Sequence, residues 1–523
     1  MSRFNKQATN PRKTTNHEGA VAYNLTPELE LYTAVCTSTL QPKFYTPNSM
    51  DVVERIRKLI SKVEPSFVGK LAVYARESMY LRSVPLVLTV ELIKHLSDNK
   101  ETWHKSKDVV ARVIQRADEI TELLSYYTHA NERKDTKKLN KLSKSVQKGV
   151  ATAFHKFDEY QFAKYNRDTE VKLRDALFLA HVKPTSDEKK SLFDKIVNNT
   201  LETPYTWEVE LSKAGQEGKD KKKVWEELID SKKIGYMALL RNLRNMAEAK
   251  VSDAHIDKVL EYLTDGEAVA KSKQLPFRFF SAYREMVGCT GRYNCEAKGA
   301  DPFTKNKILP ALEKAVIHSA KNIEGFGTET RVLVACDVSG SMEKTISQKS
   351  SVQLYDIGLL LGQILQSRCD NVVTGFFGDR WAVTPLPKEN VLANTLNLHQ
   401  REGEVGYSTN GHLVIEWLNR EKIMVDKVMI FTDCQMWNSG GSWGNRGSSK
   451  SDFEREWNLF RKDINPDARL YLFDLNGYGN TPIDVVHGKN IYLISGWSQE
   501  IFKVLAHIEK GGDSLDKIKE ISI

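Results

Sequence analysis

Residues 331–342 read Arg-Val-Leu-Val-Ala-Cys-Asp-Val-Ser-Gly-Ser-Met, an apolar run followed directly by a polar turn. The run Val332–Ala335 lies between an arginine and turn-forming residues, which is typical of a short strand buried on both faces of a parallel sheet. Beyond it, Asp337, Ser339 and Ser341 alternate along a turn that a glycine allows to bend tightly. A carboxylate and two hydroxyls converging at the end of a parallel strand favour a small hard cation, with Mg²⁺ the first choice.

This D-x-S-x-S turn resembles the metal-ion-dependent adhesion site of von Willebrand factor A domains. The resemblance implies two further ligands, a threonine in a strand–helix turn and an aspartate ending a later buried strand. Thr409 in the segment G-Y-S-T-N-G and Asp433 in V-M-I-F-T-D match them in that order. An ordinary strand-end turn is the interpretation that D-x-S-x-S alone leaves open. The expected site binds Mg²⁺, or another divalent cation, through Asp337, Ser339, Ser341, Thr409 and, directly or through water, Asp433.

Composition indicates a folded, multidomain chain. It has 523 residues, of which 41% are hydrophobic and 28% charged, which suffices for several domains with sizeable cores. The sequence contains no run of about 18 apolar residues, so no membrane-spanning helix is predicted. Residues 1–18 are polar and basic and lack the apolar segment of a secretory signal, and we expect residues 1–24 to form a flexible basic leader. Six scattered cysteines are typical of a reducing compartment, so we expect a cytoplasmic protein.

Charge is distributed unevenly along the chain. The net charge of +8 divides into +12 for residues 1–320 and −4 for residues 321–523. Because the first part is basic, residues 1–320 are the candidate region for binding a polyanion. Ordinary solvated surface is the other source of such an excess.

Helical periodicity dominates residues 25–320. Apolar residues recur at spacings of three and four, and segments of about 12 to 18 residues alternate with short polar breaks. These features predict an α-solenoid of degenerate, HEAT-like repeats. The clearest amphipathic helices are predicted over residues 52–63, 67–75, 84–96 and 109–124.

After a linker predicted at residues 325–328, strands alternate with helices. Such alternation predicts a doubly wound, Rossmann-like α/β domain with a mostly parallel sheet. Beyond the strand that begins at Arg331, strands are predicted over residues 371–377, 427–432, 470–475 and 491–494, and helices over residues 354–365, 413–418 and 501–508.

A lysine-rich segment precedes the middle of the helical part. Lys134, Lys137, Lys138 and Lys141 recur at helical spacing, opposite a stripe of apolar residues. Their common face can lie along phosphates, and a solvated helix surface is the alternative.

The combination of a helical part with one such metal-site domain resembles the Ro ribonucleoprotein family, whose helical part is the TROVE module. Local similarity lies in Val224-Trp225-Glu226 followed by Leu239-Leu-Arg-Asn-Leu-Arg-Asn-Met246, in Leu275-Pro-Phe277 and in Leu179-Ala-His-Val-Lys-Pro184. The resemblance implies a TROVE module over residues 25–324 and a von Willebrand factor A-like domain over residues 325–523.

The same resemblance implies a function in RNA quality control, decay and stress response. In the family, helical repeats close into a ring whose outer rim binds small structured noncoding RNAs, the Y RNAs. The central hole accepts single-stranded 3′ ends of misfolded RNA. Bacterial members act with exoribonucleases and have no catalysis of their own. We therefore expect a non-enzymatic protein, monomeric within a ribonucleoprotein.

Carried over by position, Lys164 and His181 match RNA-contacting residues of the family. A third contact, an arginine, falls on Asp168, and this departure leaves the neighbouring Arg167 as its substitute. From the residues alone, His181 also fits a structural histidine at a helix end, and Arg241 and Arg244 fit buried stems with charged tips. The expected RNA-binding set is Lys134, Lys138, Lys141, Lys164, Arg167, Lys172, Arg174, His181, Arg241 and Arg244.

Two rival functions follow from other classes of protein. A protein–protein scaffold, docking partners through its metal site without RNA, is the main alternative. A two-metal nuclease would need more carboxylates than Asp337 and Asp433. A P-loop nucleotidase is excluded because the sequence has no G-x-x-x-x-G-K-[ST] motif.

Overall fold

The computed structural model describes residues 12–38, 47–132, 142–166, 170–288, 302–321, 323–346, 350–440 and 450–523. The chain divides into two compact units. The first unit joins Met1–Thr37 to Ile229–Ser514, and the second joins Ser38–Leu228 to Leu515–Ile523. Within the described ranges, no helix is both long enough and apolar enough to cross a bilayer.

The elements are numbered in chain order. The helices are α1 (Pro27–Cys36), α2 (Pro47–Ile60), α3 (Pro65–Glu77), α4 (Ser83–Asp98), α5 (Ser106–Val113), α6 (Ala117–Ala130), α7 (Lys144–Phe154), α8 (Glu159–Tyr165), α9 (Leu173–Leu179), α10 (Asp187–Asn198), α11 (Trp207–Glu217), α12 (Lys221–Asp230), α13 (Tyr236–Glu248), α14 (Asp253–Thr264), α15 (Gly266–Ser272), α16 (Pro276–Val287), α17 (Pro302–Ser319), α18 (Leu354–Ser367), α19 (Val391–Gln400), α20 (His412–Glu421), α21 (Asp452–Asp463), α22 (Ile501–Glu509) and α23 (Asp516–Lys519). The strands are β1 (Lys13–Thr15), β2 (Val21–Asn24), β3 (Phe326–Asp337), β4 (Cys369–Phe377), β5 (Trp381–Val383), β6 (Lys427–Thr432), β7 (Arg469–Asp474), β8 (Asn480–Thr481) and β9 (Ile491–Ser495).

The second unit is a series of short, packed helices, as the periodicity predicts. Helices α2, α3 and α4 confirm the three predicted over residues 52–63, 67–75 and 84–96. Neighbouring helices approach closely: a Cβ on Gly149 of α7 would lie 2.4 Å from Val110 of α5. This contact explains why α7 carries a glycine despite its low helix propensity. Closure of the helices into a ring stays a prediction.

The helix predicted over residues 109–124 is in fact two helices, α5 and α6. Glu119 accounts for the break, because its carboxylate accepts the backbone N–H groups of Gln115 (2.8 Å) and Arg116 (3.0 Å). Those bonds satisfy donors that a new helix start leaves without partners. Arg76 pairs with the same buried carboxylate at 2.8 Å. A local capping interaction thus overrides the continuous apolar pattern.

A six-stranded sheet forms the centre of the first unit. Its order is β5-β4-β3-β6-β7-β9, and only the β4–β5 pairing is antiparallel among these described strands. Helix α18 covers one face, where Gly362 lets the helix approach Cys336. On the other face, Leu333 and Ala335 pack into a core shared with Val414 of α20 and residues of α21. Cover on both faces confirms the predicted doubly wound domain.

The prediction of a flexible leader over residues 1–24 is wrong for residues 12–24. There β1 and β2 form an antiparallel hairpin, and β2 pairs in turn with β8. The Asn16 side chain at the hairpin tip is buried and accepts the backbone N–H of Ala20 at 2.9 Å. Backbone pairing with a strand more than 450 residues away orders this segment. Residues 1–11 lie outside the described residues.

Helices α13–α17 belong to the same compact unit as the sheet. Arg284 of α16 donates to Asp356 of α18 (3.2 Å), and both side chains are buried. His399 of α19 contacts the other oxygen of Asp356 at 2.6 Å. Glu313 of α17 caps α19 by accepting two backbone N–H groups at 2.8 and 2.9 Å. The division between units therefore lies at residues 228 and 229, whereas the domain boundary predicted from the resemblance lies at residues 324 and 325.

We expect Arg284→Met to destabilise the first unit by about 3 kcal/mol, because it leaves a buried carboxylate without its cationic partner. Urea unfolding followed by circular dichroism measures the change. Lys271→Ala is the matched control, since Lys271 pairs with Glu267 on an exposed helix surface, where ion pairs contribute little. An unchanged midpoint for Arg284→Met would show that the Arg284–Asp356 pair does not stabilise the unit.

Candidate functional site

Two buried carboxylates lie at the carboxyl edge of the sheet. Asp337 is the last residue of β3, and Asp433 directly follows β6, the parallel neighbour of β3. Both side chains are inaccessible to solvent. The two oxygens of Asp337 accept the Ser339 backbone N–H (3.0 Å) and the Thr432 hydroxyl (2.6 Å). These bonds fix the orientation of the Asp337 carboxylate.

The hydroxyls predicted as ligands lie beside these carboxylates. The Oγ atoms of Ser339 and Ser341 are 3.2 Å apart, and the Ser341 hydroxyl also interacts with the Asp433 carboxylate. Asp433 Oδ1 accepts the Gln435 backbone N–H at 3.0 Å. Asp433 Oδ2 is buried and has no hydrogen-bond partner among the described residues. A buried acceptor without a donor is costly, and a cation is the kind of partner that satisfies it.

Electrostatics at this edge also favour a cation. Burial, followed by repulsion from Asp433, raises the pKa of Asp337 above its ordinary value. Burial likewise raises the pKa of Asp433, and the Glu18 carboxylate adds to that increase. Lys344 is attracted to Asp433, but burial of the Lys344 amine lowers its pKa. The charged forms of both carboxylates are therefore disfavoured, and a cation is the kind of partner that would stabilise them.

The third predicted motif meets the other two at the same edge. Thr409 is buried in the loop between α19 and α20, and not in a turn between a strand and a helix as predicted. In this loop the Tyr407 carbonyl accepts the Gly340 N–H at 2.9 Å, and the Thr409 carbonyl accepts the Trp437 N–H at 3.1 Å. The loop therefore contacts both the D-x-S-x-S turn and the segment after Asp433. In the described ranges no group of three or more His, Cys, Asp or Glu could hold a metal, so an ion here needs the hydroxyl ligands.

Two supports of this edge were not predicted from the sequence. Asp379, in the turn after β4, holds the Thr409 loop by accepting the Ser408 backbone N–H at 2.8 Å. The tip of the β1–β2 hairpin contacts the segment after Asp433, where Asn16 donates to the Met436 carbonyl (2.7 Å) and the His17 N–H donates to Gln435 (3.2 Å). The strand-end aspartate in F-F-G-D was a usable signal for the first support. The hairpin contact had no local signal.

The second unit exposes all four of the described residues predicted to bind RNA there. Helices α8 and α9 both pack against α6. Lys164 is exposed near the end of α8, with its ammonium 5.8 Å from the Tyr160 ring and 5.7 Å from the Tyr165 ring. Lys172, Arg174 and His181 are exposed along α9 and its ends. His181 is therefore not a buried structural histidine. Four predicted residues lie outside the described residues: Lys134, Lys138, Lys141 and Arg167.

Arg241 and Arg244 lie on α13, in the other compact unit. Arg241 is exposed, and its charge together with burial lowers the pKa of nearby Arg278. Arg244 pairs with Glu285 at 2.5 Å and with Glu248 at 3.4 Å. Its charge is largely neutralised within the protein. Of the two arginines, Arg241 is the better placed to meet a phosphate.

Two family models match most of the chain. The TROVE domain model matches residues 32–202 and 197–324, and the Ro60 vWA domain model matches residues 331–442. The chain is also similar to the crystal structure of the Deinococcus radiodurans RO (RSR) protein. That match has a TM-score of 0.56 and 15% identity, and it covers 92% of this chain and 100% of the other. At this identity it shows similarity of fold.

Curated relatives match part of their own length. The RNA-binding protein RO60 of Caenorhabditis elegans is 27% identical over 218 residues, which cover 41% of this chain and 32% of that protein. Telomerase protein component 1 of Rattus norvegicus is 23% identical over 380 residues, which cover 57% of this chain and 14% of the relative. The chain therefore spans a third or less of the length of these relatives.

We expect Asp433→Asn to stabilise the protein in a chelating buffer by about 1 to 2 kcal/mol, because it removes one of two buried, adjacent negative charges. Thermal unfolding in EDTA at mildly alkaline pH measures this gain. Asp370→Asn, at an exposed aspartate, is the matched control and should change little. A loss of stability in Asp433→Asn would mean that the hydrogen bonds of the carboxylate outweigh the repulsion.

Proposed function

The chain belongs to the Ro family of TROVE-domain proteins, and from that membership we propose that it is an RNA-binding protein. The match of the TROVE model across residues 32–324 carries this proposal. The exposed cationic residues of α8 and α9 support it, because side chains of this kind position RNA through its phosphates. We propose no catalytic step: burial raises the pKa of Cys434 beside the carboxylates, which keeps that thiol neutral.

In finer detail, the RNA is proposed to be of two kinds. Small structured, Y-like noncoding RNA would bind the basic outer surface of the helical part. Single-stranded 3′ ends of misfolded RNA would enter a central hole of the same part. Recognition of this kind depends on shape and on unpaired ends more than on base sequence. Such a protein would act in the cytoplasm, as a monomer within a ribonucleoprotein, with an exoribonuclease as partner in RNA quality control.

The carboxyl edge of the sheet is proposed to bind Mg²⁺. Asp337, Ser339, Ser341 and Thr409 would hold the ion, and Asp433 would do so directly or through water. The donor set fits, because carboxylate and hydroxyl oxygens suit this cation and Asp433 Oδ2 is a buried oxygen without a donor. A bound ion would supply a coordination position that an acidic residue of a partner protein completes. The Asp379 and hairpin contacts would keep the ligands in place.

A protein–protein scaffold remains the alternative function. It would dock partners through the proposed Mg²⁺ site at the carboxyl edge of the sheet, but it would not need the exposed cationic residues of α8 and α9. RNA binding with a steep dependence on salt separates the two functions, since phosphate contacts release counterions.

The RNA proposal is tested with a blunt stem-loop RNA and the same stem-loop with a single-stranded 3′ tail. Fluorescence anisotropy at several salt concentrations should show that Lys164→Ala/His181→Ala weakens binding about tenfold and lowers the slope of log affinity against log salt by about 0.7 to 0.9. Lys271→Ala, which also removes one charge, should bind as the wild type does. If the wild type binds both RNAs no better than micromolar at low salt, the scaffold function replaces this proposal.

The metal proposal is tested by thermal unfolding and calorimetric titration with Mg²⁺. The wild type should gain stability as the ion is added, because a ligand that binds only the folded state raises its midpoint. Asp337→Ala and Ser339→Ala should lose this dependence, whereas Asp370→Asn should retain it. A wild-type midpoint that millimolar Mg²⁺ leaves unchanged would contradict the proposed site.

A further inference from the structure

Helix α9 has one buried face and one exposed face that is both cationic and aromatic. Its residues Leu173, Ala176 and Leu177 are buried in the second unit. Arg174 and Phe178, four residues apart, are exposed on the opposite side, and His181 follows three residues later. The spacing i, i+4 places Arg174 and Phe178 on one side of the helix, and His181 follows two residues beyond the helix end. We call Arg174, Phe178 and His181 the α9 stripe.

Phe178 is unusual in its exposure. Its side chain is 56% exposed, the largest fraction among the large apolar side chains that the structure describes. A single exposed apolar residue is common and needs no explanation by itself. Here, however, the ring lies one helical turn from the exposed Arg174, on the same side of the helix. The Arg174 guanidinium makes only a loose contact, 3.9 Å, with Asp175.

The backbone at the end of α9 is a second, independent observation. His181 has φ of +50°, in the left-handed region that favours glycine. Two bonds hold it there: its N–H donates to the Phe178 carbonyl (3.1 Å), and the Val182 N–H donates to the Leu177 carbonyl (3.2 Å). Helices commonly end in this way with glycine at that position. The same left-handed ending follows other helices of this protein, for example at Asn199, Lys273 and Lys422. At α9 it fixes the backbone of His181 two residues beyond the helix end.

These observations identify the chemistry of a ligand. A ligand for the α9 stripe must offer a flat apolar face to Phe178 and negative charge to Arg174. An unpaired nucleotide offers both, since its base stacks on an aromatic ring and its phosphates meet cations. Paired nucleotides do not, because their bases are stacked within the helix and only phosphates and hydroxyls are presented.

Resting on the RNA-binding function proposed above, we propose that Phe178 is a stacking platform for an unpaired RNA base. Arg174 contacts an adjacent phosphate, and His181 contacts the same strand on the other side of the ring. Phe178 then contributes to binding of RNA with a single-stranded segment and not to binding of a duplex. The α9 stripe thereby determines specificity for unpaired RNA, separately from the general attraction of the basic surface.

The test uses the full-length protein with three RNAs: an unstructured oligouridylate, a blunt duplex of two annealed strands, and that duplex with a 3′ uridine tail on one strand. Phe178→Ala should weaken binding of the two RNAs with unpaired uridines about tenfold, within the range of one base–aromatic stack. Binding of the blunt duplex and the salt slope should not change. Phe178→Trp should restore binding, because it restores a stacking surface. Arg174→Ala should instead lower the salt slope by about 0.7.

Ultraviolet cross-linking with 5-bromouridine in the tail provides a direct readout, and we expect the adduct on Phe178 in the wild type. The inference is overturned if Phe178→Ala binds all three RNAs as the wild type does, or weakens them equally. A loss of binding that Phe178→Trp does not restore would also overturn it. If the wild type binds none of the RNAs, the RNA-binding function itself fails, which is a distinct outcome. Thermal unfolding of each variant verifies that the exposed ring is not needed for folding.

Discussion

The parallel pairing of β3 with β6 is the constraint on which the first unit depends. Its ladder of backbone hydrogen bonds carries Asp337 and Asp433 to the same edge of the sheet, although their charges repel. The cost of burying both carboxylates is offset where hydrogen bonds reach them, as at Asp337. It is not offset at Asp433 Oδ2. The Thr409 loop and the β1–β2 hairpin both contact the segment that follows Asp433.

Much of the sheet could be predicted because its strands are continuous apolar runs, each ending at a polar residue. That pattern places β3 and β6 and the aspartates that follow them. It says nothing about β1 and β2, which are short and pair with each other, or about the pairing of β2 with β8 across most of the chain. It also missed the break between α5 and α6, which depends on one carboxylate capping two N–H groups. Interactions between residues far apart in the chain, such as the pairing of β2 with β8, leave little trace in a short stretch of sequence.

The candidate RNA surface shows the same limit. Lys164 and His181 could be proposed from family resemblance, but Phe178 could not, because an apolar residue in the run Leu177–Leu179 suggests a core position. Only the helix geometry turns it outward. Conversely, Arg244 looks like a phosphate ligand in the sequence, yet Glu285, on another helix, neutralises its charge. Exposure and pairing, more than residue type, separate binding residues from structural ones.

The division of the chain between residues 228 and 229 has a consequence for how such proteins evolve. Helices α13–α17 match the TROVE model, yet Arg284 and Glu313 bind them into the unit that contains the sheet. Exchange of the sheet domain between relatives by recombination at the TROVE boundary would separate Arg284 from Asp356 and leave α19 without its cap. Recombination that preserves these contacts would have to join the sequences upstream of α13. Otherwise both partners of each contact would have to be replaced together.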